Sequence, residues 1–337
     1  MQKGIITLSN KPSLLCAASV VGKKEMEGPL AGRFDRHDET DTFGKPTWEQ
    51  SESEMQRIAL NVALDKGCFK IHDIDAIFAG DLINQCTSSG YGLANFDAQF
   101  IGLFGACSTM AESLLLSCML VDSGKYSRCA CVTSSHNCSA ERQFRFPLEY
   151  GGQRTPTAQW TVTGAAAVIV GEHTPNTPYV CEVLPGRVVD KGINDSSNMG
   201  AAMAASAVDT LKRYFDESGK SPDDFSAIFT GDLGYEGSGI LVDFLRIEGY
   251  DISGIHEDCG LIIYDRERQD VHAGGSGCGC CATTLAAHIL PSLEEGKLTD
   301  ILFIATGAMM NTASIQQGLT IPGIAHLVHI KAGDENG

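Results

Sequence analysis

Apolar residues along the chain form two kinds of pattern in alternation: short continuous runs and segments with helical spacing. Short continuous apolar runs at residues 14–21, 77–79 and 129–133 are typical of buried strands. Between the first two runs, residues 48–66 carry apolar side chains at helical spacing, with a capping pattern at Thr47 and a stop at Gly67. Strands and helices that alternate in this way predict an α/β fold with parallel strands joined by crossover connections.

One strand-to-helix junction carries a cysteine, in the stretch Gly105-Ala106-Cys107-Ser108-Thr109. An apolar run at residues 100–104 precedes it, and apolar residues at helical spacing follow it as far as residue 122. We therefore expect Cys107 to lie in the first turn of a buried helix. The helix dipole and the free N–H groups there favour the thiolate, so the position suits a nucleophile or an anion-binding site.

The order of elements repeats in the second part of the chain. Residues 224–233 match residues 73–82 at seven of ten positions, at an offset of 151 residues. A second similarity relates Gly124 and the strand after it to Gly296 and the strand after it, at an offset of 172 residues. The same offset relates Cys107 to Gly279. The chain is therefore predicted to be an internal duplication, with an N-terminal half at 1–171 and a C-terminal half at 172–337. Its apolar helices at 107–122 and 278–290 are expected to be buried between sheets.

Composition limits the classes of protein to consider. Of 337 residues, 43% are hydrophobic and 20% charged, which is typical of globular proteins. The chain has 25 basic and 42 acidic residues and no basic cluster, so nucleic acid is not an expected partner. Thirteen cysteines without a secretory signal in the first residues favour a reducing compartment. The apolar runs are shorter than the roughly 18 residues of a membrane span, so we expect a soluble protein.

The cysteine turn and the duplication resemble the thiolase and ketoacyl-synthase superfamily over residues 10–330. Further motifs resemble the stage V sporulation protein AD family within it. Those motifs are Gly28-Pro29-Leu30, Ala79-Gly80-Asp81-Leu82, the stretch 105–109, Thr133-Ser134-Ser135-His136-Asn137, Ala140-Glu141-Arg142-Gln143-Phe144-Arg145, Glu149-Tyr150-Gly151-Gly152-Gln153, Ala273-Gly274-Gly275-Ser276-Gly277-Cys278 and Ile324-Ala325-His326.

The resemblance implies a fold and a function. The fold would stack two mixed five-stranded sheets around a central pair of buried helices. The protein would be a spore protein that binds dipicolinic acid (pyridine-2,6-dicarboxylic acid), with calcium accompanying the ligand and with no cofactor of its own. It would serve uptake of the acid into the spore or its release, beside the inner spore membrane of the forespore or spore. Its partners would be stage V sporulation membrane proteins and, through an edge strand, a second copy of itself.

The resemblance also makes catalysis at Cys107 improbable. A cysteine that accepts an acyl group needs a base and an oxyanion-binding partner. The histidine of ketoacyl synthase III aligns with Thr230-Gly231-Asp232, and its asparagine aligns with Gly275, so both partners are absent from this sequence. We expect a non-catalytic binding protein in which Cys107 either contacts ligand or is a buried remnant. The alternative is an active ketoacyl synthase or thiolase that uses Cys107 on acyl-CoA or acyl-carrier substrates.

Several polar residues are candidates for ligand contact. His136 follows a strand end, where α/β sheets gather ligand contacts. Arg142, Arg145 and Arg154 lie in the polar connection 139–161, and an arginine fork matches a carboxylate with two hydrogen bonds.

Two further candidates leave alternatives open. The glycine loop around Gly275 can present N–H groups to an anion or let two helices pack closely. Asp81 and Asp232 stand at equivalent strand ends, where a carboxylate either caps the next segment or binds calcium brought by the ligand. The spacing between Cys278 and Cys281 has no second pair to complete a zinc site, so no metal site is predicted.

Overall fold

A computed structural model describes residues 4–144 and 153–334, which form fourteen β-strands and eleven α-helices. The strands are β1 (Ile6–Thr7), β2 (Ser13–Val21), β3 (Arg36–His37), β4 (Ala76–Gly80), β5 (Gln99–Gly102), β6 (Arg128–Ser135), β7 (Trp160–Thr161), β8 (Gly164–Gly171), β9 (Tyr179–Leu184), β10 (Ala227–Thr230), β11 (His256–Asp258), β12 (Gly275–Ser276), β13 (Asp300–Ala308) and β14 (Gly323–Lys331). The helices are α1 (Lys23–Met26), α2 (Trp48–Lys66), α3 (Thr87–Leu93), α4 (Thr109–Asp122), α5 (Asn137–Phe144), α6 (Met199–Ser218), α7 (Gly234–Ile247), α8 (Cys259–Ile262), α9 (Cys278–Thr284), α10 (Leu290–Glu294) and α11 (Thr312–Gln316).

The main sheet contains the same five-stranded unit twice. Its strand order is β11-β10-β13-β14-β9-β2-β8-β6-β4-β5, so five strands come from each part of the chain. In each unit the outer pairs are parallel and the inner pairs antiparallel. The two units meet at a single residue pair, Ser13 and Tyr179. The mixed α/β fold predicted from the sequence is confirmed.

The apolar patterns correspond to the observed elements. The runs at 14–21, 77–79 and 129–133 form the core of β2, β4 and β6, and the helical pattern at 48–66 forms α2. Thr47 caps α2, since its side chain accepts a hydrogen bond from the Gln50 N–H group. The duplicated decapeptides form the same structure twice: a short 3₁₀-helix at Ile71–Asp73 or Pro222–Asp224, then β4 or β10.

Two central helices, α4 and α9, are buried as their composition predicts. Nine residues of α4 and all seven of α9 are buried. Gly279 in α9 lies against β8, and a side chain there would collide with the carbonyl oxygen of Gly164. A π-helical turn at Leu285–Ile289 joins α9 to α10. Small side chains therefore let α9 pack directly on the sheet.

A buried ionic cluster holds the C-terminal unit together around His329 on β14. Its Nδ1 atom lies 3.0 Å from Glu182 on β9, and its Nε2 atom contacts Asp300 on β13. Glu182 also accepts hydrogen bonds from Tyr214 on α6 at 2.6 Å and from Lys220 at 2.7 Å. The His329 side chain is fully buried, so its charge depends on these partners.

All thirteen cysteines of the chain lie in the described residues, and all are free thiols. Eight are buried, four are half-buried, and Cys68 is exposed. Burial raises the pKa of the deepest thiols, such as Cys118 and Cys280, well above 9.0. Within residues 4–144 and 153–334, no helix combines the length and the apolar character that a membrane span requires.

Candidate ligand-binding site

Cys107 lies in a tight turn before α4. The turn begins at Ala106, whose φ of +51° is unusual for a residue with a side chain. The Thr109 hydroxyl closes it by donating to the Ala106 carbonyl oxygen at 2.7 Å and accepting from the Gly105 N–H group at 3.1 Å. The helix itself begins at Thr109, so the prediction that Cys107 lies in the first helical turn is wrong.

The surroundings of Cys107 favour the thiol. Its pKa is raised well above 9.0, first because the group is buried and then because Asp232 and Cys278 lie nearby. The carboxyl group of Asp232 is within hydrogen-bonding contact of the sulfur. The expectation of a dipole-stabilised thiolate is therefore wrong, because Cys107 precedes the helix and its burial favours the uncharged thiol.

Asp232 occupies the space behind Cys107. Its carboxyl oxygens accept hydrogen bonds from the Gly277 N–H group at 3.0 Å and from the Thr306 hydroxyl at 2.8 Å. Burial raises its pKa to about 7, although these hydrogen bonds and the one from Cys107 oppose the shift. The group that faces the Cys107 sulfur is thus a carboxyl group whose burial favours its neutral form.

The glycine loop serves the interior of the protein. Gly277 has a φ of +106°, and a Cβ atom there would lie 2.6 Å from the Ser135 hydroxyl oxygen. Its N–H group is used by Asp232, and Gly275 lies in β12, paired with Trp160 on β7. Close packing, one of the two alternatives for this loop, accounts for these contacts. Gly275 itself does not line the cavity that is next to Cys107.

Replacing Gly277 with alanine is expected to lower the free energy of unfolding by about 1–3 kcal/mol. The new methyl group would be strained at this φ and would press on Ser135. Chemical denaturation monitored by circular dichroism measures the change. Gly239→Ala on α7 is the matched control, because nothing lies within 4 Å of its added carbon. Equal stability of the two variants would contradict the packing role.

A cavity opens directly above Cys107. The cavity measures about 40 Å³ and is partly open to solvent. Its walls are mostly apolar, with a few polar groups among them. The lining residues are Leu82, Phe104, Ala106, Cys107, Ala140, Glu141, Phe144, Thr161, Met199, Ser276, Ala308 and Met310. The chemistry of this lining is compatible with a small molecule that has an apolar body and a few polar groups.

Two of the sequence candidates lie away from this cavity. His136 is buried, but its Nε2 atom bonds the Asp41 carbonyl oxygen at 2.9 Å and its Nδ1 atom accepts from the Cys138 N–H group at 3.2 Å. Burial lowers its pKa, so the ring is a neutral structural link to the segment at 22–45. Arg142 forms an ion pair with Glu49 on α2 at the surface. Neither lines the cavity.

The other two arginines also differ in position. Arg145 lies outside the described residues. Arg154 lines a second cavity, next to the first, and forms an ion pair with Asp270 at 2.8 Å. Of the candidates, Cys107, Asp232 and the loop around Gly275 are therefore brought together, while His136, Arg142 and Arg154 are placed elsewhere.

Asp81, the counterpart of Asp232, belongs to a separate buried network. Its oxygens accept from the N–H groups of Ile83 and Ser89, both at 2.8 Å, so it caps the segment that follows β4. Glu52 lies beside it, and burial raises the pKa of Glu52 to about 8. Within the part of the chain that the structure describes, no three His, Cys, Asp or Glu side chains are grouped as metal ligands.

The sequence did not single out Glu141, Thr161 and Ser276, which supply the cavity's other polar side chains. The Thr161 hydroxyl lies 3.4 Å from the Glu141 carboxylate. Thr161 and Ser276 come from β7 and β12, a two-residue ladder that brings together segments far apart in the chain. In the sequence, Glu141 and Ser276 lie within the motifs at 140–145 and 273–278, whose arginines and glycines were the candidates there. Thr161 is at the end of the polar connection 139–161.

Comparison with known proteins gives consistent results. A sequence model of the stage V sporulation protein AD family matches residues 2–331. Stage V sporulation protein AD of Bacillus subtilis (strain 168) is 43% identical over 318 residues, which cover 94% of each chain. Among solved structures, a variant of OleA from Xanthomonas campestris superposes with a TM-score of 0.62 at 13% identity, covering 97% of this chain and 98% of that one. For 3-oxoacyl-[acyl-carrier-protein] synthase III from Aquifex aeolicus VF5 the TM-score is 0.55 at 15% identity, with 94% and 99% covered. The last two likenesses show a thiolase-like fold.

Proposed function

The chain belongs to the stage V sporulation protein AD family, sporulation proteins with a thiolase-like fold, and from this premise we propose that it binds dipicolinic acid in the cavity above Cys107. The binding would serve movement of the acid into or out of the spore. The scaffold would be catalytically inactive. The observation that carries the proposal is the cavity itself, which is lined by Cys107, while the sulfur of Cys107 faces the carboxyl group of Asp232.

The lining of the cavity supports an aromatic ligand with polar substituents. Phe104, Phe144 and Met310 offer apolar and aromatic surface to a flat ring. The hydroxyl groups of Thr161 and Ser276 are potential donors to carboxylate oxygens. A pyridine ring with carboxylates on both sides of its nitrogen combines these two properties.

The charge of the cavity supports calcium as a companion of the ligand. Glu141 lines the cavity, and none of its described lining residues is basic. Two ligand carboxylates beside another carboxylate would repel each other in a space with little water. Calcium prefers oxygen ligands and would compensate this charge. Calcium would then arrive with the ligand and would not be a resident cofactor.

Isothermal titration of the purified protein tests the proposal. Pyridine-2,6-dicarboxylate should bind, and the 2,4 and 3,5 isomers should bind at least tenfold more weakly, because their carboxylates do not flank the nitrogen. The titration is run with calcium and with a chelator. Lack of binding up to millimolar concentrations under both conditions would rule the proposal out.

An acyl-transfer enzyme is the alternative, favoured by the fold and by the position of Cys107. It predicts a thioester on Cys107 after incubation with acyl-CoA, visible by intact-mass spectrometry. We expect no adduct, because a thiol with a raised pKa beside a carboxyl group is a weak nucleophile. An adduct that disappears in Cys107→Ala would establish the alternative.

Binding is expected to be tighter at low pH. Burial raises the pKa of Asp232 to about 7, and a neutral carboxyl repels an anionic ligand less than an ionised one. Affinity should therefore rise as the pH falls through 7, by about three- to tenfold from pH 8 to pH 6. Titration calorimetry at both values measures the change. In Asp232→Asn the dependence should flatten, and an unchanged dependence would assign it to another group.

We also propose that the protein is a homodimer. Strand β5 is at the edge of the main sheet, with unpaired backbone groups available to a second strand. The side chains of Phe100 in β5 and of Phe104, two residues after its end, are exposed. An antiparallel pairing of two β5 strands would cover them. Light scattering after gel filtration would give the mass, and a mass of 35.9 kDa, that of one chain, would refute the pairing.

The remaining proposals concern place and partners. We propose that the protein associates peripherally with the inner membrane of the forespore or spore, through other stage V sporulation proteins embedded there. Family membership supports this arrangement. Co-purification from solubilised spore membranes, with and without dipicolinic acid, tests it. Recovery of the protein without any membrane protein would contradict it.

A further inference from the structure

We propose that the cavity beside Arg154 is an outer binding site for carboxylates, which receives the ligand before it enters the inner cavity above Cys107. This inference rests on the proposed function. The outer cavity measures about 310 Å³ and is partly open to solvent. Its described lining residues include Arg154, Ser197, Thr312 and Gln316, and no acidic residue. An arginine in a cavity whose described lining residues include hydroxyl and amide groups but no acidic side chain is expected to attract anions.

The side chain of Arg154 is fixed by its neighbours, but not all of its N–H groups form hydrogen bonds. Its Nη2 atom donates to the Asp270 carbonyl oxygen and carboxylate, both at 2.8 Å. The guanidinium group lies 4.8 Å from the centre of the Trp160 ring. Its Nη1 atom is buried and has no hydrogen-bond partner among the described residues. The arginine is therefore preoriented and retains N–H groups for a carboxylate.

The charge around Arg154 is locally positive, although the whole chain carries a net charge of −17. Lys24 lies 4.2 Å from the centre of the same Trp160 ring. Arg266 donates to the His272 carbonyl oxygen, and His272 in turn contacts Thr155, which lines the cavity. In the described part of the chain, neither Lys24 nor Arg266 forms an ion pair. Asp270, with its side chain 75% exposed, is then the main opposing charge and is screened by water.

The two cavities are neighbours. Phe144 lines both, and its ring is the described side chain that they share. Thr161, in the wall of the inner cavity, directly follows Trp160, which packs on Arg154. The two cavities thus adjoin at Phe144. The outer site would raise the local concentration of the anion and leave selection among isomers to the inner site.

Stopped-flow measurement of dipicolinate binding tests the outer site. Arg154→Gln is expected to slow association about three- to tenfold at low salt while changing dissociation little. Lys24→Gln should have a smaller effect in the same direction. Raising the salt concentration should slow the original protein more than Arg154→Gln. Arg57→Gln, which removes an exposed arginine of α2, is the matched control and should associate at the original rate.

A second readout does not depend on the inner site. The chain has two tryptophans, so Trp48→Phe leaves Trp160 as the reporter. Benzene-1,3-dicarboxylate, which lacks the ring nitrogen, should alter the fluorescence of Trp160, with a weaker response in the variant that also carries Arg154→Gln.

If calorimetry shows dipicolinate binding but association and fluorescence are unaffected by Arg154→Gln, the outer site is refuted and the proposed function stands. If fluorescence responds but calorimetry shows no inner binding, the proposed function fails and the outer site stands. Inorganic phosphate at equal ionic strength distinguishes a general anion effect, since an equal response to phosphate would refute a carboxylate site.

Discussion

Replacing His329 with leucine is expected to lower the free energy of unfolding by about 3–5 kcal/mol at pH 7. The change removes the charged partner of Glu182 and Asp300 and leaves their carboxylates in a largely buried setting. Lys220 and Lys331 still contact these carboxylates, so the protein should remain folded. Urea denaturation gives the value. His72→Leu is the matched control, because its side chain is 79% exposed and should change stability by less than about 0.5 kcal/mol. A loss below about 1 kcal/mol for His329→Leu would show that the cluster contributes little.

The same cluster predicts how stability depends on pH. Burial alone would lower the pKa of His329, but hydrogen bonds to Asp300, Cys181 and Glu182 outweigh it and raise the pKa to about 10. In the unfolded chain a histidine titrates near about 6.5. The folded protein therefore binds a proton that the unfolded chain has released between these two values. The contribution of His329 is complete below about pH 6.5 and disappears as the pH rises toward 10, and His329→Leu should lack this decline.

Ala140→Phe is expected to weaken dipicolinate binding at least about tenfold, or 1.4 kcal/mol. Ala140 is buried on α5 and lines the inner cavity together with Cys107. A phenyl ring at this position would occupy the space that we assign to the ligand. Titration calorimetry gives the affinity, and thermal unfolding reports on the fold.

Ala205→Phe provides the control for this substitution. Ala205 lines a surface groove between α6 and α7, far along the chain from the Cys107 turn. The same enlargement there should leave dipicolinate affinity unchanged. If Ala140→Phe binds the ligand as the original protein does and is equally stable, the ligand lies in another part of the molecule.

The fold was predictable because its signals are local and occur twice. Apolar runs and helical spacing located β2, β4, β6 and α2 to within one or two residues. The repeated decapeptide predicted that Asp81 and Asp232 would follow equivalent strands. The boundary between the halves at residue 171 stays a prediction, although the five-stranded units do come from before and after it.

The site was less predictable because its properties depend on contacts between distant segments. Alanine rarely adopts positive φ, so nothing in the sequence indicated the turn at Ala106 that displaces Cys107 from the helix. The pKa of Cys107 depends on burial against α9 and on Asp232, and neither can be judged from helical position. His136 and Arg142 are engaged by Asp41 and Glu49, residues more than ninety positions earlier in the chain. The residue types of His136 and Arg142 indicate which ligands they can contact. They do not indicate that other residues of the chain already occupy their hydrogen-bonding groups.

The distribution of thiols gives the protein a natural point of attachment. Cys68 alone is exposed among thirteen free cysteines, and it follows the end of α2. The buried sulfurs react slowly, since they are shielded and held in the thiol form. A maleimide dye or biotin would therefore couple to Cys68 before the others. The molecule can be immobilised or tracked by fluorescence without an engineered tag, and the cavity above Cys107 stays unmodified.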